Sequence, residues 1–319
     1  MNPGHRLKIE NILEAQRVID PVFLGTPQRV AEAWSARLDL KAVIKDETAN
    51  PIRCFKGRGA EFVAATLPPR SAVITASAGN FGQAMAHACV RRGHTLTVYA
   101  AATASPLKIE RMRTLGAAVV LHGQSFDEAK AEARRSASRL GVRMVEDSLA
   151  PETGEGAGTI GVELASFPES PQAVLLPLGD GALACGVGAY LKWARPNTRI
   201  VAVQAEGAPA MIESWHTKRL VTHASTHTIA DGIAGGRPIP ECLQDLESTI
   251  DEGLLVSEAS IREAMRWAYN DLGIMLEPAG AVSVAALLEH RDQFRNQTVA
   301  MVLSGGNIAP DDHRRLIAP

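Results

Sequence analysis

Short apolar runs bounded by glycine or serine alternate with longer segments of helical period along most of this chain, and that alternation permits few folds. Strand and helix in repeated succession bury their apolar faces best as β-α units around a mainly parallel sheet, so the fold class is α/β. Between Ser71 and Asp147 the runs read AVIT as strand, FGQAMAHACVRRG as helix, TLTVYAA as strand, PLKIERMRTLG as helix, AAVVLHG as strand, DEAKAEARRSASRLG as helix and VRMVE as strand. That is a complete small doubly wound unit. After it come the helix GTIGVELASF, the strand QAVLLPLG, the helix ALACGVGAYLKWA, the strand RIVAVQAE, helices over Glu258 to Leu272 and Ala279 to Phe294, and the strand TVAMVLSG. The N-terminal part offers a strand, KAVIKDE, and a helix, GRGAEFVAATL, too little to close a domain alone. The expected organisation is a discontinuous larger domain, 1–71 plus 148–319, with 72–147 inserted in it.

Composition narrows the function. The 319 residues are 46% apolar with a formal net charge of -2, leaving no basic excess to hold nucleic acid or an anionic membrane surface. A small-molecule partner is expected. The longest apolar stretch, Ala173 to Leu191, is broken by Pro177, Asp180 and several glycines and does not suit a membrane span. Cys54, Cys89, Cys185 and Cys242 are widely scattered, and the start MNPGHRLKIENIL has no long apolar run. Both point to the cytoplasm. His216, His223 and His227 include an i, i+4 pair, but HASTH is poor helix sequence and no third ligand is evident, so a surface loop and no metal site are expected.

Three glycine-rich turns stand where strands give way to helices or loops: ASAGNFGQ at 76–83, LGDGALACG at 178–186 and LSGGN at 303–307. The free N–H groups of a helix start suit a phosphate, and a carboxyl end of a parallel strand is where α/β sheets bind ligands. The second turn also fits a dinucleotide pattern through Gly179, Gly181 and Ala184, with Glu206 ending the next strand. A dehydrogenase would leave the segment Lys45 to Phe62, KDETANPIRCFKGRGAEF, without a role. In it Lys56 lies between Phe55 and Gly57 just before helix-like sequence, where burial would favour a neutral, nucleophilic amine.

CFKGRGA resembles the segment around the cofactor lysine of fold type II pyridoxal-phosphate enzymes; SAGNFGQ is similar to their substrate-carboxylate loop, and GDGAL to their glycine-rich phosphate loop. TIADGIA, EPAGA and LSGGN resemble later signatures of the threonine dehydratase and serine racemase branch. The resemblance runs from about Lys45 to Asn307. It implies two doubly wound open-sheet domains of the tryptophan synthase β-subunit-like kind, pyridoxal 5'-phosphate as cofactor, and a homodimer acting on an amino acid. The implied reaction is a β-elimination giving a 2-oxo acid and ammonia. By the same resemblance Lys56 carries the cofactor, Phe55 packs on its ring, Asn80 meets its phenolic oxygen, Gly232 covers the other ring face, and Ser304 meets the pyridine nitrogen. Gly179, Asp180, Gly181, Ala182 and Leu183 form the phosphate loop, while Ser77, Ala78, Gly79, Asn80 and Phe81 bind substrate. Glu277 either lies near the ring or serves as a carboxylate at a helix start.

Four departures bear on the substrate. Asn50-Pro51-Ile52-Arg53-Cys54 replaces small and polar residues beside the cofactor lysine, Phe81 stands where the loop usually has His, Glu155 replaces a small residue, and Asp180 puts a carboxylate into the phosphate loop. Asp180 is expected to cap the following helix. Arg53 is a candidate for pairing with a second anion on a larger β-substituted substrate, or else points to solvent or pairs with Glu155. Gln204 and Ala210 replace carboxylates of a metal-binding stretch in the racemase branch, and Ala78 replaces a hydroxyl, so neither a divalent cation nor racemisation is expected.

Overall fold

In the computed structural model residues 5–318 are described; residues 1–4 and 319, which end the expected 1–71 and 148–319 segments, lie outside them. Among the described residues ten strands form two sheets. They are β1 (Gln28–Val30), β2 (Lys41–Asp46), β3 (Ala72–Ala76), β4 (Thr95–Ala100), β5 (Ala118–Leu121), β6 (Arg143–Met144), β7 (Ala173–Pro177), β8 (Arg199–Ala205), β9 (Glu252–Val256) and β10 (Thr298–Leu303). The larger sheet has the order β1-β2-β10-β7-β8-β9 and is parallel except for β1, which runs antiparallel to β2. The smaller, β5-β4-β3-β6, is all parallel. Pairing of β2 with β10, Thr298 opposite Lys41 and Leu303 opposite Asp46, brings N-terminal and C-terminal sequence into one sheet.

The larger sheet is buried on both faces, which is why its strands read as near-continuous apolar runs. Val299, Met301 and Leu303 of β10 enter one core with Ala42 and Ile44 of β2, under the helices Glu258–Leu272 and Pro278–Glu289. Ala300 and Val302 enter the opposite core with Val43, Val174 and Leu176, under the helices Pro151–Ala165 and Ala182–Ala194. The expected strands and helices are present with small shifts of their ends. The helix expected from Gly158 begins earlier, at Pro151, and VRMVE shortens to the two residues of β6.

Fully buried Arg58 locks the helix Lys56–Thr66 to its surroundings. Its Nε and Nη2 donate to Glu47 at 2.8 Å each, and its Nη1 donates to Thr159 Oγ1 at 2.9 Å and Glu163 Oε1 at 2.7 Å. Burial opposes its charge, but Glu47 and Glu163 outweigh that and hold the guanidinium firmly protonated. The helices Lys56–Thr66 and Pro151–Ala165 approach so closely that a Cβ at Gly59 would come 2.5 Å from the Thr153 carbonyl oxygen. Glu155, buried and with its pKa raised by that burial, accepts from Asn11 Nδ2 at 2.7 Å and from Lys8 N at 3.1 Å. It anchors the helix Ile9–Val18 rather than pairing with Arg53.

Candidate active site

Five loops leave carboxyl ends of parallel strands and converge on one cavity of about 430 Å³: 47–56 after β2, 77–80 after β3, 147–150 after β6, 179–181 after β7, and 304–307 after β10. Its walls include Phe55, Lys56, Ser77, Ala78, Gly79, Asn80, Phe81, the turn from Gly179 to Leu183, Gly232, Glu277 and Ser304. The expected site residues are therefore brought together, with one exception.

That exception is Arg53. Its backbone is left-handed, φ 53°, and Phe55 N donates to Ser304 O and Gly306 N to Arg53 O, zipping the segment antiparallel to the loop after β10. The turn carries the guanidinium outside the cavity, where Nε donates to the Gly306 carbonyl at 3.3 Å. An anion on the substrate would not meet it there.

Lys56 is the first residue of its helix, and its Nζ lies in the cavity 4.7 Å from the Phe55 ring centre. Nζ donates to Asp147 Oδ2 at 2.5 Å. Across the cavity Asn80 is fixed from both ends: Nδ2 donates to Glu277 Oε1 at 2.6 Å, while Oδ1 accepts from Asn307 Nδ2 at 2.9 Å. Glu277 is 8% exposed, and burial pushes its carboxyl up to about 7 against the pull of Asn80. It occupies the N-cap position of the helix Pro278–Glu289 without a side-chain cap bond, and its carboxylate faces Asn80 and Gly305. Ser77 Oγ accepts from Gly79 N at 3.2 Å and Gly82 N at 3.0 Å, fixing the loop whose backbone lines the cavity. Phe81 touches the cavity but is 4% exposed and belongs to the core of the smaller sheet.

The turn after β7 ends at Gly181, φ 119°, where a Cβ would press on Cys242, and the helix Ala182–Ala194 starts there with no cap from its own N-cap residue, the Ala182 N–H donating to Ser148 Oγ at 3.2 Å. Asp180 does not cap that helix, contrary to expectation. Its side chain faces Gly235, and burial, together with the charge of Asp147, raises its pKa. The glycine-rich helix start, the left-handed Gly181 and a lysine amine in the same cavity fit a phosphorylated aldehyde: one end would be held by amides, the other would meet the amine.

A family model described as pyridoxal-phosphate dependent enzyme matches residues 19–305. The chain belongs to the pyridoxal-phosphate-dependent enzyme family. Its cofactor is pyridoxal 5'-phosphate. It is 31% identical to the biosynthetic L-threonine dehydratase of Bacillus subtilis, over 94% of this chain and 73% of that one. With the L-threonine ammonia-lyase of Thermotoga maritima the identity is 33%, over 95% of this chain and 76% of the relative. Among solved structures, the T.th. threonine deaminase superposes with a TM-score of 0.89 at 29% identity, covering 95% of this chain and 99% of that one. Maize serine racemase gives 0.91 at 26% identity, covering 97% and 96%. The fold is the fold type II architecture that the motifs implied.

Sequence reasoning missed Asp147, Lys108, Asp231 and Asn307. Lys108 and Asp231 line the cavity and pair at 2.7 Å. Asp147 follows a two-residue strand, and a carboxylate just beyond a parallel strand was the one signal available for it. Among the described residues, no group of three or more His, Cys, Asp or Glu side chains is placed to hold a metal ion. His223 pairs with Glu213 at 2.7 Å, and His227 meets Ser225, in an irregular segment as expected.

Proposed function

We infer that this enzyme eliminates a β-substituent from an L-amino acid and releases a 2-oxo acid and ammonia, as a lyase of the threonine dehydratase type. The observation that carries the reading is the meeting of the Lys56 amine, the Ser77–Phe81 loop, the Gly179–Leu183 turn, Glu277 and Ser304 in one cavity. Bound there, pyridoxal 5'-phosphate supplies an electron-withdrawing group that makes the amino acid's α-hydrogen acidic. The protein does the rest. Gly179, Asp180, Gly181, Ala182 and Leu183 would hold the phosphate through backbone amides, with Phe55 and Gly232 against the ring, Asn80 and Glu277 beside it, and Ser304 at its nitrogen. Ser304 offers a neutral hydroxyl, which supports less charge on the ring than a carboxylate would and favours prompt elimination. The Ser77–Asn80 loop would bind the substrate carboxylate, and Lys56 Nζ would take the Cα proton.

The working assignment of domains is 1–71 plus 148–319 for the cofactor-holding part and 72–147 for the inserted part. The enzyme would act as a cytoplasmic homodimer. The four cysteines are free and buried, in keeping with a reducing compartment, and no helix among the described residues is long and apolar enough to cross a membrane. Light scattering and cell fractionation test the two finer points.

The relatives' names point to L-threonine as a first substrate. The Ile52, Arg53 and Phe81 departures suggested a larger or charged substrate instead. With Arg53 outside the cavity and Ile52 buried in the core of the smaller sheet, that idea retains only Phe81, to which the structure adds the Lys108–Asp231 pair as a group that could select a β-substituent. A visible spectrum of the purified protein, followed by kcat/KM for 2-oxo acid release from L-serine, L-threonine, 3-hydroxyaspartate and longer β-hydroxy amino acids, decides. No visible band, or no 2-oxo acid from any of them, would overturn the reading.

A further inference from the structure

Lys56 does not face the cavity alone. Its Nζ is 2.5 Å from Asp147 Oδ2, and both side chains keep about a fifth of their surface open, 18% and 22%. The other oxygen, Asp147 Oδ1, is shut from solvent and has no hydrogen-bond partner among the described residues. A buried carboxyl oxygen without a donor is rare, and it is free to take one up. Asp180 closes the same wall, its carboxyl raised by burial and by the nearness of Asp147, with Lys56 and Lys130 pulling the other way. Lys56, Asp147 and Asp180 thus line the cavity together. The Asn80, Glu277 and Asn307 side of the cavity, by contrast, is tied together by hydrogen bonds.

Losing a β-hydroxyl requires a proton, because hydroxide is a poor leaving group. We propose that Asp147 is a catalytic residue that receives from Lys56 Nζ the proton taken from Cα and delivers it to the departing hydroxyl. The step balances. The Cα–H bond breaks with its electron pair left on carbon, and the proton joins Nζ. It passes from Nζ to Asp147 Oδ2. The Cβ–O bond then breaks with both electrons going to oxygen, which takes the proton from the Asp147 carboxyl and leaves as water. Carbon closes its double bond, and Lys56 and Asp147 end as they began. The proposal rests on the β-elimination reading above.

A residue that only holds Lys56 in place would affect every substrate alike, whereas a proton donor matters only where the leaving group needs a proton. L-serine and β-chloro-L-alanine share the amino acid core and differ at the leaving group, since chloride departs unprotonated. Positioned proton transfer is worth about 10²-fold or more. In the cofactor-loaded Asp147→Asn enzyme, the ratio of kcat/KM for L-serine to that for β-chloro-L-alanine should fall about 100-fold. Asp147→Glu, which keeps an acid, should recover much of the ratio. Equal losses with both substrates, or the same fall in Asp180→Asn but not in Asp147→Asn, would overturn the proposal. Should Asp147→Asn fail to hold the cofactor, the wild type decides: D₂O should slow L-serine elimination more than β-chloro-L-alanine elimination, and equal slowing counts against the donor role. In cofactor-free protein labelled with ¹⁵N-lysine, the Lys56 ammonium should exchange its protons slowly in the wild type and fast in Asp147→Asn. Identical exchange in both would also overturn it. Wild-type release of pyruvate from β-chloro-L-alanine tests the elimination reading separately; its absence removes that reading without bearing on the Lys56–Asp147 contact.

Discussion

Two walls of one cavity solve opposite problems. On one, Asn80 bridges Glu277 and Asn307, and Asn307 in turn donates to the Ile52 carbonyl at 2.8 Å, so each amide is fixed by its neighbours. On the other, Lys56 meets Asp147, one of whose oxygens is left buried without a donor, and Asp180 stands beside them with a raised pKa. A satisfied network fixes geometry, and a partly satisfied one leaves an acceptor open to a further donor. On the reading proposed above, the first wall would hold a ring and a carboxylate in place, and the second would move a proton between an amine and a carboxyl.

The largest effect should come from the second wall. On the proposed assignment, replacing Lys56 with Ala would remove both the cofactor's attachment and the base, so turnover should fall at least ~10³-fold with far-UV circular dichroism unchanged. The visible band should go with it. Survival of both would mean that the wall works without its lysine.

On the first wall the informative change is Glu277→Gln, read as stability against pH in cofactor-free protein. The Glu277 carboxyl ionises at about 7 in the fold against 4.5 unfolded, so its contribution to stability is full below pH 4.5 and is lost as pH rises through 7. The loss reaches about 3 kcal/mol. Glutamine has no proton to lose and can still accept from Asn80, so the variant's melting temperature should fall less between pH 5 and pH 8 than the wild type's. Parallel curves would mean that Glu277 is not held neutral by burial.

A smaller loss is expected from Asn80→Ala. It strips the donor from buried Glu277 Oε1, which should cost roughly 1–3 kcal/mol in thermal unfolding. Less than that would mean that the wall is not a coupled network. Smallest of all is Arg53→Ala. With its guanidinium on the Gly306 carbonyl and outside the cavity, kcat/KM should change by only a few tenths to 1 kcal/mol, about 5-fold at most, for every substrate including 3-hydroxyaspartate. A selective loss for the acidic substrate would bring Arg53 back into the site.

The sequence carried the strands and helices because their period is local. The alternation of Val299, Met301 and Leu303 with Ala300 and Val302 between two cores is the same signal that marks TVAMVLSG as a strand. The turns that hold the site were legible for a related reason, since each follows a strand and needs glycine at a fixed place, as Gly181 does at φ 119°. Side-chain direction was not legible. Whether Arg53 faces the cavity depends on its pairing with a loop some 250 residues away, and Asp147 reaches Lys56 across 91 residues of sequence. The expected cap by Asp180 failed because the chain is already left-handed at Gly181, which takes the N-cap place and leaves Asp180 on the cavity wall.

The working of the second wall depends on which lysine carries the cofactor, and the cavity contains two, Lys56 and Lys108. Borohydride reduction of the cofactor-loaded enzyme, followed by proteolysis and mass spectrometry, fixes the cofactor covalently to the lysine that held it. The pyridoxyl group is expected on Lys56 and on no other residue; label on Lys108, or none on either lysine, would contradict a proton-moving wall built around Lys56.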